Sequence, residues 1–266
     1  MSTSEQNILF SVDDSTGVAI LTLNRPEYLN AFNREMIAQW RQALGRVEGD
    51  SAIRALVVTG SGKAFCAGGD IDELEAFLSM DATARKAFLW ENVHQIALLL
   101  ERIDCPVIAA INGTARGAGL DMALMCDLRI MDAQAVIAES YIDMALMPGD
   151  GGAWFLPRLI GISRALELLW TGDSVDAQAA LSIGLVNSIA PAGQTRSKAI
   201  ALAERLARQP SQAIRFIKRS VYGAVQGTSL RSHLDAVSSH MAVLEDMPEF
   251  RERVTAFQDR RRKAGK

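Results

Sequence analysis

Phe65-Cys66-Ala67-Gly68-Gly69-Asp70 and Asn112-Gly113-Thr114-Ala115-Arg116-Gly117-Ala118-Gly119-Leu120 are the stretches that decide the fold of this 266-residue chain. Each follows an apolar β-like run, Ala55-Leu56-Val57-Val58-Thr59 before the first and Val107-Ile108-Ala109-Ala110-Ile111 before the second. Each leads into a helix-like stretch. A strand, a Gly-rich turn and a helix start leave backbone N–H groups unpaired and pointing into a cleft. Two such turns side by side can grip one oxygen that carries developing negative charge. That is the chemistry of an oxyanion hole, and it points to an enzyme rather than a binding module.

Composition narrows the class. Apolar residues make up 49% and charged residues 22%, a globular balance, and the length suits one large domain or a core with an appendage. A net charge of −3 gives no reason to expect nucleic acid or an acidic membrane as partner. No apolar run approaches the ~20 residues of a membrane span. Residues 1–7 are polar, with neither a basic n-region nor an apolar h-region, so no secretory signal is expected. Cys66, Cys105 and Cys126 are scattered, odd in number and flanked by apolar residues. They read as reduced thiols of a cytoplasmic protein, with Cys66 a small packing residue rather than a nucleophile. The histidines are His94, His233 and His240, a scarcity that argues against a His-based metal site or a Ser–His triad.

Outward from the loops the pattern is strand, strand, helix. Residues 8–12 and 18–23 flank a turn-rich connector and predict a hairpin. Phe32, Met36, Ile37, Trp40, Leu44 and Val47 recur at helical spacing. Leu89, Val93, Ile96, Ala97, Leu100 and Ile103 predict a second long helix, and a short helix is expected from about Ala118 to Met125 before the strand 128–131. Gly149-Asp150-Gly151-Gly152 is a third flexible turn. From Ala192 the pattern is wholly helical, broken at Pro210 and Pro248. We therefore divide the chain into an α/β core, 1–191, and a helical C-terminal subdomain, 192–266, that covers the core or packs on a neighbouring subunit.

The ordered motifs resemble the crotonase superfamily, the enoyl-CoA hydratase/isomerase family, from Val18 to the end. They are Asn24-Arg25-Pro26 with Asn30-Ala31, Lys63 to Ile71, Pro106 to Gly113, Pro148-Gly149-Asp150-Gly151-Gly152 with Leu156-Pro157-Arg158, and Gly184-Leu185-Val186-Asn187. The resemblance implies a spiral of ββα units with a helical C-terminal region, a homotrimer or homohexamer, and an acyl-CoA thioester as substrate. Coenzyme A is then part of the substrate, and neither a further cofactor nor a metal is expected. By position the oxyanion donors are the N–H groups of Gly69 and Ala118. The family usually has glycine at the second position, so the Ala118 donor survives only if φ there is helical. Arg25, Ala64, Phe65, Ala67, Gly68, Gly69, Asp70 and Ile71 match positions that cradle the thioester, pantetheine and adenine. Phe257 and Arg260 match a C-terminal pattern that reaches the nucleotide.

Enolate chemistry also needs a proton carrier. Asp121, three residues after Ala118, projects from the first turn of the same helix. It stands where hydratases of the family carry their first catalytic glutamate and dienoyl-CoA isomerases an aspartate. The second hydratase glutamate falls at Tyr141, a poor base but a hydrogen-bond or proton donor. Glu139 would share a strand face with Tyr141 if that segment is extended. Asp150 reaches the cleft from its turn or caps the helix that follows. Asp70 reads as structural, closing its loop as Asx turns do. An enoyl-CoA hydratase is the leading reading. An enoyl- or dienoyl-CoA isomerase and a non-catalytic acyl-CoA-binding protein are the alternatives.

Overall fold

The computed structural model describes residues 6–264; most of the polar opening on which the absence of a secretory signal was argued lies outside the described residues. The chain divides into two units, Met1–Ala207 and Arg208–Lys266.

In the first unit the expected hairpin forms from β1 (Ile8–Asp13) and β2 (Val18–Leu23), paired antiparallel. Helix α1 (Arg34–Gly49) begins at Asn33, whose side chain accepts the Met36 N–H at 2.9 Å. It buries Met36, Ile37, Trp40, Leu44 and Val47, five of the six residues whose spacing predicted it. Burial of each of the larger ones contributes about 1.5–3 kcal/mol.

Three ββα turns follow. They run β3 (Ala55–Gly60), β4 (Ala64–Cys66) and α2 (Ile71–Leu78), the last followed by α3 (Ala82–Phe88) and α4 (His94–Arg102). Next come β5 (Val107–Ile111), β6 (Thr114–Arg116) and α5 (Ala118–Leu124). The third turn is β7 (Leu128–Asp132), β8 (Val136–Ala138), a 3-10 turn (Ser140–Met144) and α6 (Gly152–Ile160). Then α7 (Ile162–Thr171), β9 (Val175–Asp176), α8 (Ala177–Ser182), β10 (Ser188–Ala190) and α9 (Thr195–Ala207) complete the unit. The first strand of each turn joins a large sheet of order β1-β2-β3-β5-β7-β10, parallel beyond β2. The second joins a small sheet of order β4-β6-β8-β9. This two-sheet spiral is the α/β architecture expected.

Two segments differ from the sequence reading. The second long helix is interrupted, because a π-helical turn at Leu89–Val93 separates α3 from α4. That wider turn resets the phase so that Val93, Ile96, Leu100 and Ile103 all reach the core. The core boundary falls after Ala207 rather than at 191/192, since α9 belongs to the sheet. Ala199, Ala203 and Ala207, one side of α9, pack on the sheet face formed by Val18, Ala55, Val57, Ile108, Ala110 and Ile130. The alternate residues Ala19, Leu21, Leu56, Val58, Ala109 and Ile111 face the other way, into the main core. Small residues let α9 approach the strands closely.

The second unit contains α10 (Ser211–Val225), α11 (Leu230–Asp246) and α12 (Pro248–Ala264). Phe216 of α10 stacks on His240 of α11 with centroids 4.1 Å apart. Among the described residues no helix is long and apolar enough to cross a membrane.

Candidate active site

The two loops of the opening meet. Cys66 ends β4, and its carbonyl oxygen lies against the α-carbon of Gly119 so closely that a methyl there would stand 2.1 Å away. Only glycine permits that approach. On the same seam a methyl at Gly68 would stand 3.7 Å from the Ala118 nitrogen. The left-handed conformation falls on Gly117 (φ +47°) and not on Ala118, which opens α5 in helical geometry. Alanine at 118 therefore keeps its N–H aimed away from the helix. Among the described residues neither this N–H nor that of Gly69 has an acceptor, whereas the flanking Ala67 and Asp70 N–H groups bond Leu29 and Phe32.

Beside this seam stands a buried acidic cluster. Asp121, on the first turn of α5, has 0% exposure. The Tyr141 hydroxyl, from the 3-10 turn, lies 2.8 Å from Asp121 Oδ2 and 3.0 Å from Asp150 Oδ2. The Asp150 N–H also donates to Asp121 Oδ2, at 3.2 Å. Glu139 does not share an extended face with Tyr141, because the chain leaves β8 and turns at once into the 3-10 helix. It reaches the cluster all the same. Asp121 Oδ1 and Glu139 Oε1 converge on the α-carbon of Gly152, where a methyl would stand 2.5 and 3.1 Å from them. Asp121, Glu139, Tyr141 and Asp150 are thus brought together.

A phenol has one proton, so two O···O contacts to carboxyls need a second proton from one of those carboxyls. Either Asp150 donates to Tyr141 while Tyr141 donates to Asp121, or the reverse. The Asp150 N–H on Asp121 favours the first state, with the charge on Asp121. Burial pushes the Asp121 carboxyl up to about 6, opposed by the Tyr141 hydrogen bond. Burial, then the charge of Asp121, drives Glu139 to about 10, so it is protonated at neutral pH. Asp150 is raised by burial and held back by Tyr141 and His94. Tyr141 is pushed far above the ordinary phenol value by burial and then by Asp121, so its hydroxyl keeps its proton.

Glu139 therefore opposes folding as pH rises. Unfolded, it ionises near 4.5; folded, it keeps its proton to about 10. Between those values the folded chain binds more protons than the unfolded one, so the stability this residue contributes is whole below the lower value and falls above it. Glu139→Gln, uncharged and of like shape, is expected to raise Tm by a margin that is small near about pH 5 and widens toward about pH 9. Thermal melts of both proteins across that range check it, and a margin independent of pH would contradict the assignment.

The other positions behave variously. Asp70 caps α2, accepting the Asp72 N–H at 3.0 Å, and pairs through Oδ2 with Arg25 Nη1 at 2.7 Å. That Arg25 nitrogen also donates to the Ala31 carbonyl, and the guanidinium lies over the Tyr28 ring. Arg25 and Asp70 line a shallow groove with Asn33, Arg34, Asp72 and Glu73. Phe65 and Ala64 are core side chains, and the Ala64 carbonyl accepts from Asn30 and Asn112. These two residues can meet a ligand only through main chain. Ile71 begins α2, exposed. Phe257 and Arg260 lie on α12 in the second unit, where Phe257 is exposed. The Cys66 thiol is buried, bonded to the Asn30 carbonyl and pushed up to about 12 by burial, as a packing residue should be.

His94 was missed. Its Nε2 lies 2.8 Å from the Gly149 carbonyl oxygen and 3.9 Å from Asp150 Oδ1. Fifty-five positions separate it from Gly149. The one sequence signal is its place beside the apolar stripe Val93, Ile96 and Leu100, which faces the same interior.

The spiral of ββα turns, with two unpaired N–H groups beside a buried acid cluster, defines the crotonase class. Residues 13–264 match the model of the enoyl-CoA hydratase/isomerase family, and the chain belongs to that family. It is 36% identical to the 1,2-epoxyphenylacetyl-CoA isomerase of Escherichia coli, over 91% of this chain and 92% of the relative. It is 31% identical to the crotonyl-CoA hydratase of Syntrophomonas wolfei, over 97% and 96%. The crystal structure of an enoyl-CoA hydratase from Bacillus anthracis superposes with a TM-score of 0.88 at 31% identity, covering 96% of this chain and 97% of that one.

Proposed function

We propose that this protein adds water across the α,β double bond of an enoyl-CoA thioester. The observation that carries the reading is the Asp121–Tyr141–Asp150 line, which presents a base and an acid at one place. Family membership supports a coenzyme A thioester as the substrate. The Gly69 and Ala118 N–H groups grip the thioester oxygen as it becomes enolate-like, each donor contributing about 3–4 kcal/mol in the transition state. Water attacks the β-carbon: its O–H bond breaks, the proton passes to the Tyr141 oxygen, and the phenol proton moves on to Asp121. The enolate then takes its α-proton from the Asp150 carboxyl. This leaves Asp121 protonated and Asp150 ionised, and one pass back through Tyr141 restores both. Asp121 is too deep to touch the substrate, so Tyr141 and Asp150 are the groups at the reacting carbons. The groove lined by Arg25 and Arg34, together with exposed Ile71, is where the remote part of coenzyme A lies.

A second reading, double-bond isomerisation, is favoured by Tyr141 standing where a hydratase carries a carboxylate. The same line would take a proton from one carbon and return it to another. Incubation with crotonyl-CoA in water labelled with ¹⁸O and deuterium separates the two. Uptake of both labels supports hydration. Deuterium exchange without ¹⁸O supports the isomerase. Binding of acyl-CoA thioesters with no labelling of any of them would overturn both in favour of a binding protein.

A further inference from the structure

Resting on that reading of the site, we propose that His94 is a positioning residue: its Nε2–H holds the Gly149 carbonyl and so sets the Asp150 carboxyl against the Tyr141 hydroxyl. The Gly149 oxygen can only accept, so the 2.8 Å contact requires the proton on Nε2. Gly149 is glycine and precedes Asp150 in a turn that continues through Gly151 (φ +124°). A turn rich in glycine has little stiffness of its own, so an external tie decides where its one carboxyl points. The tie comes from α4, whose neighbours Val93 and Ile96 are fixed in the core. The partly exposed Trp90 packs edge-on to the imidazole at 6.1 Å.

The same nitrogen stands 3.9 Å from Asp150 Oδ1, a buried atom with no hydrogen-bond partner among the described residues. The titratable groups around Asp150 are Asp121 on α5, Glu139 and Tyr141 at the 3-10 turn, Cys66 on β4 and His94 on α4. Of these only His94 can be a cation. The imidazole side chain is about one third accessible, whereas that of Asp150 is 7% exposed. His94 thus acts at the acid end of the line in two ways: as a donor in either charge state, and as a charge that eases ionisation of Asp150 when protonated.

Two variants separate the roles. His94→Ala removes donor and charge; His94→Gln keeps an amide N–H at the Nε2 position and removes the charge. His94→Ala is expected to lower kcat by about 10- to 100-fold with KM unchanged, the size expected of a misplaced catalytic group. His94→Gln is expected to restore most of kcat, and wherever the wild-type imidazole is protonated the variant's Asp150 holds its proton to higher pH, because the cationic neighbour is gone. Parental kcat in His94→Ala overturns the proposal, as does equal loss in both variants accompanied by lowered Tm. ¹⁵N NMR of the wild-type protein supplies a readout that needs no turnover. The Nε2–H tautomer is expected, and the Nδ1–H tautomer overturns the donor role even if the protein is a hydratase. If no enoyl thioester is turned over, the function reading fails. The tautomer, with the ¹³C titration of Asp150 in wild type and His94→Gln, still decides the role of His94.

Discussion

Asp121→Asn is expected to lower kcat for enoyl-CoA hydration by about 10²–10⁴-fold, the range for removal of a general base, with little change in thioester affinity. Asparagine fills the same volume and can still accept from the Tyr141 hydroxyl and the Asp150 N–H, so the cluster keeps its shape while losing the charge that draws the proton from water. The pH profile makes the loss specific. In the parent the base must be ionised, and burial has raised its pKa to about 6, so kcat should fall as pH drops through that value. In the variant this acid limb should vanish. Tyr141→Phe cuts the same line at its middle, and the double variant should be little worse than either single one, because groups that act as a unit are not additive. Steady-state kinetics of the three variants over a pH series check this. Parental activity in Asp121→Asn would show that the proton is carried elsewhere.

Gly119→Ala should have the next largest effect, and for a different reason. The added methyl would stand 2.1 Å from the Cys66 carbonyl oxygen and 2.7 Å from its carbon. Both neighbours are main chain, so no side-chain rotation relieves the contact; β4 and the start of α5 must separate. Overpacking of this kind costs about 1–3 kcal/mol of stability. The same separation moves the Ala118 N–H away from that of Gly69, and loss of one such donor costs about 10²–10³-fold in kcat. Gly45→Ala is the control. Gly45 lies on the exposed side of α1 with nothing near its α-carbon, so alanine there should leave kcat unchanged and raise stability by up to about 1 kcal/mol. Thermal melts and kcat measured on both variants test the pair. A Gly119→Ala protein with parental Tm and rate would mean that the two loops are not held by this contact.

Much of the fold was legible in the residues because the signals are local. The hairpin, α1, β3, β5, β7 and α5 each carry a periodic apolar pattern or a terminating turn. The strands β4, β6 and β8 do not. Three residues are too short to show a period, and β4 and β6 were read as loop until pairing with one another and with β8 placed them in a sheet. The extent of the core was missed because α9 has an ordinary helical pattern. Its small face, Ala199, Ala203 and Ala207, has meaning only against the sheet it covers.

The site divides in the same way. The sequence by itself determined the two loops, their place after apolar strands, a supply of unpaired N–H groups where those loops start helices, and the acids at 121, 139 and 150; the family resemblance pointed to Gly69 and Ala118 among those N–H groups. These follow from backbone chemistry that a few neighbouring residues dictate. Only the tertiary structure decided that Glu139, Tyr141 and Asp150 all converge on Asp121, that Asp121 is fully buried, and that His94 Nε2 meets the Gly149 carbonyl beside Asp150. Hydrogen bonds across 20 and 55 positions have no signature in spacing. The raised proton affinities of Asp121, Glu139, Tyr141 and Asp150 come first from burial, which exists only once the chain has folded.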